Sequence, residues 1–166
     1  LGGCHLSRTP SAMIWALIRA RKKDLTISRS IASSETDLLL AGGVSRHVVT
    51  SWFSQGLIWG VSKVMRHHVE NKLAVFDEWS HMSMGLRYRA GAMGIPFMPS
   101  RTMLGSDVGK RLGDSFKAMT CPFTNEEVGL LPALNPDVAL IHVQRCDAYG
   151  NAQLDEFEEA LKQATV

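Results

Sequence analysis

Val138-Ala139-Leu140-Ile141-His142-Val143 is one of the two longest apolar runs in this 166-residue chain, and this stretch decides the predicted fold class. A run without polar alternation is typical of a strand buried on both faces, as in the middle of a parallel sheet. Asn135, Pro136 and Asp137 precede it and are residues that favour turns. The stretch therefore predicts an α/β fold in which helices cover both faces of a sheet.

The chain upstream of this run alternates between strand and helix patterns. Strands are predicted at Leu25–Ser28, Val48–Thr50 and Leu73–Phe76, and helices at Ala12–Ile18, Glu35–Ala41, Gly60–Glu70 and Met82–Met93. A polar loop is predicted from Gly105 to Gly113, and a short amphipathic helix from Asp155 to Lys162. The alternation indicates a largely parallel sheet flanked by helices. We find no repeat or linker composition, so we expect one domain over residues 1–166.

The charge balance, the cysteines and the length of the apolar runs indicate which kinds of molecule this chain does not bind. The chain has 18 Lys and Arg residues against 16 Asp and Glu residues, a formal net charge of +2. A dedicated nucleic-acid binder needs a larger basic excess to neutralise phosphates. The three cysteines form no CxxC pair, and no apolar run approaches the roughly 20 residues that span a bilayer. This sequence also shows no signal-peptide pattern. We therefore expect a cytoplasmic protein that binds neither nucleic acids nor membranes.

Gly2 and Gly3 open a loop that ends at Pro10, just before the first predicted helix. Glycines at such a turn let a ligand approach the backbone and its N–H groups, although a tight turn alone explains them equally well. The loop resembles the glycine-rich segment of the family I coenzyme A transferases, in which Gly-Gly-Phe is followed by a small residue, any residue and Pro. Cys4 replaces the Phe and Arg8 the small residue. The resemblance implies that Gly2, Gly3 and Arg8 bind coenzyme A or substrate.

Three further segments resemble the same family. Cys146-Asp147-Ala148-Tyr149-Gly150-Asn151 is similar to its Ala-Asp-x-x-Gly-Asn pattern, and Arg87-Tyr88-Arg89-Ala90-Gly91-Ala92-Met93-Gly94-Ile95-Pro96 to a segment of its α subunits. Glu78-Trp79-Ser80-His81 is most similar to the A subunits of glutaconate coenzyme A transferases. These matches extend over residues 2–151 and leave 152–166 as an unmatched tail. The resemblance implies the α-subunit fold of coenzyme A transferases, shorter here than in the family at both ends.

The family chemistry implied by this resemblance moves coenzyme A between two carboxylic acids through a glutamyl thioester on the enzyme. Such chemistry needs a carboxylate nucleophile and donors to the developing oxyanion. The family's nucleophilic glutamate lies in a Ser-Glu-Asn-Gly motif of the B subunit, and this sequence has no such motif. We therefore expect a hetero-oligomer in which this chain supplies one wall of the site. The coenzyme A thioester is then a substrate, and no cofactor or metal is expected.

His81 and Glu78 are the candidate catalytic residues. The resemblance implies that His81 lies where family members that act on ketoacids carry a glutamine that donates to the thioester oxyanion, and an imidazole N–H can make the same bond. A histidine packed at a helix N-terminus is the alternative interpretation. Glu78 is a candidate base for a hydrolytic relative, or else a surface or ion-pair residue.

Four other residues complete the candidate site. Ser51, Ser54 and Gln55 follow a predicted strand and combine hydroxyls with an amide, as expected of a pocket for a small acid, although loop packing explains them equally well. Arg101 can bind a carboxylate through two parallel hydrogen bonds, or it can stabilise the turn that follows it in the chain.

Two other functions remain open at the level of sequence. An acyl-coenzyme A hydrolase or ring-opening enzyme would use the same scaffold with Glu78 as its base. A non-catalytic metabolite-sensing domain would share the general α/β topology, although no DNA-binding segment accompanies it. A partner protein with a Ser-Glu-Asn-Gly motif would favour the transferase.

Overall fold

The computed structural model describes residues 1–56, 58 and 60–155. The strands are β1 (Leu25–Ser28), β2 (Ile31–Ala32), β3 (Ser45–Thr50), β4 (Trp52–Phe53), β5 (Val75–Glu78), β6 (Phe97–Ser100), β7 (Lys117–Thr120), β8 (Glu127–Pro132), β9 (Arg145–Cys146) and β10 (Ala152–Gln153). The helices are α1 (Ser11–Arg19), α2 (Ser34–Ala41), α3 (Lys63–Glu70), α4 (His81–Ala92) and α5 (Asp107–Arg111). None of the described helices is long and apolar enough to cross a membrane.

A parallel sheet with the order β1-β3-β5 forms the centre of the first half of the chain. Its side chains alternate between two faces because successive residues of a strand point to opposite sides. Ile27 and Val48 pack with residues of α1, α2 and α3 on one face. Val49 packs with Met84 and Tyr88 of α4 on the other. Helices therefore cover both faces, and the predicted α/β fold with a parallel sheet is confirmed.

A second sheet is antiparallel, with the order β6-β8-β7, and the sequence patterns did not predict it. It joins the core through Leu131, which is fully buried against the α4 side of the first sheet. The polar loop predicted from Gly105 to Gly113 is also wrong in part, because α5 lies within it. Ser106 caps that helix by accepting a hydrogen bond from the Gly109 N–H, which supplies the start signal for a very short helix.

The strand predicted at Val138–Val143 is wrong. This segment has no strand conformation, and its backbone joins the rest of the described chain through one bond, from the Gly2 N–H to the Leu140 carbonyl (2.9 Å). Val138 keeps 70% of its surface exposed. An apolar run becomes a buried strand only when neighbouring strands and a covering layer are present, and the described residues supply neither.

Outside these corrections, the predicted elements are confirmed with small shifts at their ends. The third predicted strand moves by two residues, from Leu73–Phe76 to β5, and the helix predicted at Gly60–Glu70 begins at Lys63. Of the helix predicted from Asp155 to Lys162, all but Asp155 lies outside the described residues.

Candidate active site

The carboxyl ends of the three parallel strands place polar residues together at one edge of the sheet. Ser30 lies just beyond β1, Ser51 directly follows β3, and His81 lies three residues beyond the end of β5. In open α/β sheets, ligands bind in the crevice outside this edge. The geometry therefore identifies this edge as the candidate site.

His81 is fixed in place by its neighbours in the chain. It is the first residue of α4, and the Ser80 hydroxyl caps the helix by accepting a hydrogen bond from the Ser83 N–H (3.1 Å). Trp79 is buried, and its ring lies 3.9 Å from the Arg87 guanidinium carbon, a cation–π contact. Burial lowers the pKa of Arg87 to about 10. A buried anchor and a helix cap thus hold the exposed histidine at the sheet edge.

Two serine hydroxyls contact the His81 ring. The Ser51 Oγ lies 3.0 Å from His81 Nδ1, and the Ser30 Oγ lies 3.5 Å from the same nitrogen. Ser51 also donates to the Ser30 carbonyl through both its backbone N–H and its hydroxyl. The ends of β1, β3 and β5 are therefore linked by one hydrogen-bonded network that includes His81.

The glycine loop packs beside this network. Gly3 has a φ of +88°, and a Cβ at this position would lie 2.5 Å from the Ser7 carbonyl oxygen and 2.9 Å from Nη2 of Arg29. Only glycine fits such a close approach in this backbone conformation. The Cys4 and Ser7 backbones bond to each other in both directions, so their N–H groups are already satisfied. Gly2 bonds to Leu140, and the Arg8 side chain is buried.

Arg29 and Glu35 form a fully buried ion pair beneath the loop. Arg29 Nη1 lies 2.6 Å from Glu35 Oε1, and both side chains have 0% exposure. Glu35 also accepts hydrogen bonds from the Ser33 N–H (2.8 Å) and the Thr36 hydroxyl (3.0 Å). Arg29 directly precedes Ser30 and donates to the Ser7 carbonyl (3.4 Å), so the pair connects α2 to the glycine loop and to the end of β1.

Ser54 and Gln55 lie apart from the His81 network. Ser54 is buried and accepts hydrogen bonds from the Trp52 indole N–H (2.7 Å) and the Gly56 N–H (3.0 Å). Gln55 donates to Asp37 and accepts from the Ser34 hydroxyl. Burial raises the pKa of the Asp37 carboxyl, opposed by its hydrogen bonds from Ser62 and Gln55. The Gln55 amide therefore links α2 to the loop before α3.

Arg101 and Glu78 lie at the margins of the site. Arg101, just after β6, pairs with Glu126, just before β8 (3.2 Å), with both side chains largely exposed. Its neighbour Thr102 contacts the Ser80 hydroxyl (2.9 Å), which brings this segment next to His81 in the fold. Glu78 ends β5 and is exposed, and its carboxylate makes no hydrogen bond or ion pair in the part of the chain that the structure describes.

Three residues near this edge were not predicted from the sequence, namely Arg29, Ser30 and Glu35. A signal for the first two was present, because Arg29 and Ser30 directly follow a predicted strand, as Ser51 does. Polar residues at the carboxyl ends of parallel strands are site candidates by position alone. Glu35 carried no such signal, because a glutamate in the first turn of a predicted helix is ordinarily a solvated residue.

Comparison with known proteins places this architecture in a family. The family model for coenzyme A transferase matches residues 1–163. The A subunit of the 3-oxoadipate CoA-transferase of Pseudomonas knackmussii is 36% identical over 157 residues, which cover 92% of this chain and 54% of that protein. The cholesterol ring-cleaving hydrolase IpdA subunit of Rhodococcus jostii is 30% identical over 169 residues, covering 92% of this chain and 53% of that protein.

Two solved structures have the same fold. Glutaconate coenzyme A-transferase from Acidaminococcus fermentans superposes with a TM-score of 0.86 at 26% identity, covering 99% of this chain and 58% of that one. The decarboxylase AibA/AibB gives 0.84 at 28% identity, covering 93% and 59%. The fold is that of a coenzyme A transferase-type α/β protein. This chain belongs to the coenzyme A transferase family, and it spans about half the length of the curated relatives named here.

Proposed function

We propose that this chain is part of the A subunit of a heteromeric coenzyme A transferase that moves coenzyme A between an acyl-coenzyme A and a small acid. The observation that carries the proposal is His81, held at the carboxyl edge of the parallel sheet by Ser51 and by the start of α4. Two relatives are A subunits by name, of transferases named for 3-oxoadipate and glutaconate. Those names support a B-subunit partner and favour a dicarboxylic acid as acceptor.

His81 would stabilise the oxyanion that develops on the thioester carbonyl. Its position at the first residue of α4 adds the positive end of the helix dipole, which favours negative charge at the same place. The nucleophilic carboxylate would come from the B subunit, as the resemblance to the family implies, and residues 1–166 contain no Ser-Glu-Asn-Gly motif. Arg101 and the glycine loop would border the bound thioester, and Ser54 and Gln55 would shape the wall behind it.

His81→Ala tests this role. We expect the variant, assayed in complex with the B subunit, to lose about 10²-fold or more in kcat with KM little changed, the loss typical of removing one oxyanion donor. Chromatography of the two coenzyme A thioesters measures transfer directly. His67→Ala, which removes an exposed histidine of α3, is the matched control and should keep wild-type transfer. Wild-type turnover in His81→Ala would remove this residue from the mechanism.

The position of the covalent intermediate provides a second test. The complex incubated with an acyl-coenzyme A and no acceptor should accumulate a glutamyl thioester, which borohydride reduces irreversibly. Mass spectrometry of the two separated proteins should find the reduced glutamate in the B subunit and an unmodified peptide over Phe76–Arg87 here. A reduced residue at Glu78 would show that the nucleophile belongs to this chain and not to the B subunit.

A hydrolase or ring-opening enzyme is the second candidate function. Two observations favour it: the Glu78 carboxylate is exposed and unpaired within the described residues, three positions before His81, and one relative is named a ring-cleaving hydrolase. A carboxylate at this place could act as a general base for water or carbon acid. Glu78→Gln should be nearly silent in a transferase and severe in a hydrolase, whereas His81→Ala should impair both.

A further inference from the structure

The Ser51 hydroxyl lies between two partners, and its geometry fixes where its proton goes. The Ser51 Oγ is within hydrogen-bond reach of the Ser30 carbonyl and lies 3.0 Å from His81 Nδ1. A carbonyl oxygen only accepts, so the bond to Ser30 must use the one hydroxyl proton of Ser51. Towards His81, the Ser51 oxygen can then only accept.

The Ser30 carbonyl has capacity for this bond. The carbonyl oxygen has two lone pairs, so it can accept one hydrogen bond from the Ser51 N–H (3.0 Å) and a second from the Ser51 hydroxyl. The Thr50 hydroxyl also lies near this carbonyl, at 3.3 Å, but it has the Trp52 carbonyl at 2.9 Å as a closer acceptor. The second hydroxyl near Nδ1, that of Ser30, lies at 3.5 Å, beyond the usual range for such a bond.

We infer that Ser51 is a positioning residue that holds His81 in the tautomer with its proton on Nδ1. The Nδ1–H donates to Ser51, Ser51 donates to the Ser30 carbonyl, and the imidazole is thereby tied to the end of β1. In the neutral ring, Nε2 then carries a lone pair and accepts. This gives Ser51 a role other than direct contact with substrate.

One consequence rests on the proposed function. If His81 stabilises a thioester oxyanion from Nε2, it does so as the imidazolium, because the single proton of the neutral ring is held on Nδ1 by Ser51. The neutral ring instead offers Nε2 as a proton acceptor, the form that a hydrolytic reaction would use. Ser51 therefore determines which chemistry each protonation state of His81 supports.

The tautomer can be measured by 15N NMR on the full chain labelled at histidine, at a pH where the His81 ring has lost its charge. In the wild type, the protonated ring nitrogen of His81 should be Nδ1 and the pyridine-like resonance should be Nε2. In Ser51→Ala, the pyridine-like resonance should move to Nδ1, whereas Ser51→Thr, which keeps the hydroxyl, should retain the wild-type pattern. The spectra of the other histidines report whether each variant is folded.

Thr26→Ala is the matched control. It removes a hydroxyl that lies 3.4 Å from Nδ1 of His47, a histidine of β3, and should leave the His81 resonances unchanged. A neutral His81 protonated on Nε2 in the wild type, or a tautomer unaffected by Ser51→Ala, would overturn the inference. This outcome is independent of activity: wild-type turnover in His81→Ala would refute the catalytic role and leave the tautomer result standing.

Discussion

Two Arg–Glu ion pairs show how differently the two halves of this molecule are built. Arg29–Glu35, below the carboxyl edge of the parallel sheet, has a 2.6 Å contact and no exposure on either side chain. Arg101–Glu126, on the antiparallel sheet, has a 3.2 Å contact with 74% and 55% exposure. The same two residue types thus form a buried support for the glycine loop in one half and a solvated surface pair in the other.

Burial, and not residue type, sets the contribution of each charged pair to stability. Removing one partner of a buried pair leaves an uncompensated charge in a medium that solvates it poorly. Water and salt replace most of the attraction in an exposed pair. The parallel half should therefore respond strongly to substitutions that the antiparallel half and the segment after it tolerate.

Glu35 is the position at which a substitution should cost most. Glu35→Ala should lower the free energy of unfolding by about 3–5 kcal/mol because Arg29 remains buried without its counter-charge. Glu126→Ala should lower it by about 1 kcal/mol or less. Urea denaturation of both variants measures the difference. Equal losses would mean that the two pairs are not distinguished by burial.

An intermediate effect is expected from two valines with the same side chain in different surroundings. Val48→Ala should lower the free energy of unfolding by about 2 kcal/mol, because the Val48 side chain of β3 is fully buried against the helices that cover that face of the sheet. Val138→Ala should change stability by about 0.5 kcal/mol or less, since that side chain is 70% exposed. Amide hydrogen exchange should agree, with protection at Val48 and fast exchange over 138–143. A costly Val138→Ala would show that this run is packed in solution.

A weaker effect is expected at Tyr88, one of two tyrosines in the chain. Its hydroxyl lies 2.5 Å from the Ser28 Oγ, and Tyr88→Phe should cost about 1 kcal/mol. Burial raises the pKa of Tyr88 above its ordinary value of 10.0. When the pH lies between the pKa of an unfolded tyrosine and the higher pKa of folded Tyr88, the unfolded chain releases the phenolic proton and the folded chain keeps it. The contribution of Tyr88 to the free energy of unfolding is therefore fully present below about pH 10 and is lost as the pH rises further.

Spectrophotometric titration checks the Tyr88 prediction. Tyr149, which is 93% exposed in the segment after the antiparallel sheet, is the matched site. Tyr149→Phe should leave the free energy of unfolding unchanged at neutral pH. In this variant Tyr88 is the sole tyrosine of the chain, and its ionisation should appear above pH 10. Ionisation of Tyr88 at or below its ordinary range would contradict its burial against β1.

The elements that could be predicted from the sequence are those whose signals are local. Helix α2 is followed directly by Gly42-Gly43, and strand β1 is a short run between polar segments. The hydrophobic pattern and the turn residues beside it were therefore sufficient to predict both elements. The antiparallel sheet was missed because β7 is exposed along its whole length, and because the sequence of β6 contains a proline and does not alternate between apolar and polar residues.

The candidate site divides in the same way. Local patterns in the sequence were enough to predict the α/β class and the glycine turn and to select Ser51 as a candidate, because strand ends and turn residues are marked by their immediate neighbours. His81 was selected through the resemblance of its segment to the coenzyme A transferase family. Long-range packing was needed to show that Ser51 contacts His81, that Arg29 and Glu35 are buried under the loop, and that 138–143 is not a strand. Each of these depends on which segments distant in the chain become neighbours, and a hydroxyl proton, a buried charge or an apolar run takes its role from those neighbours.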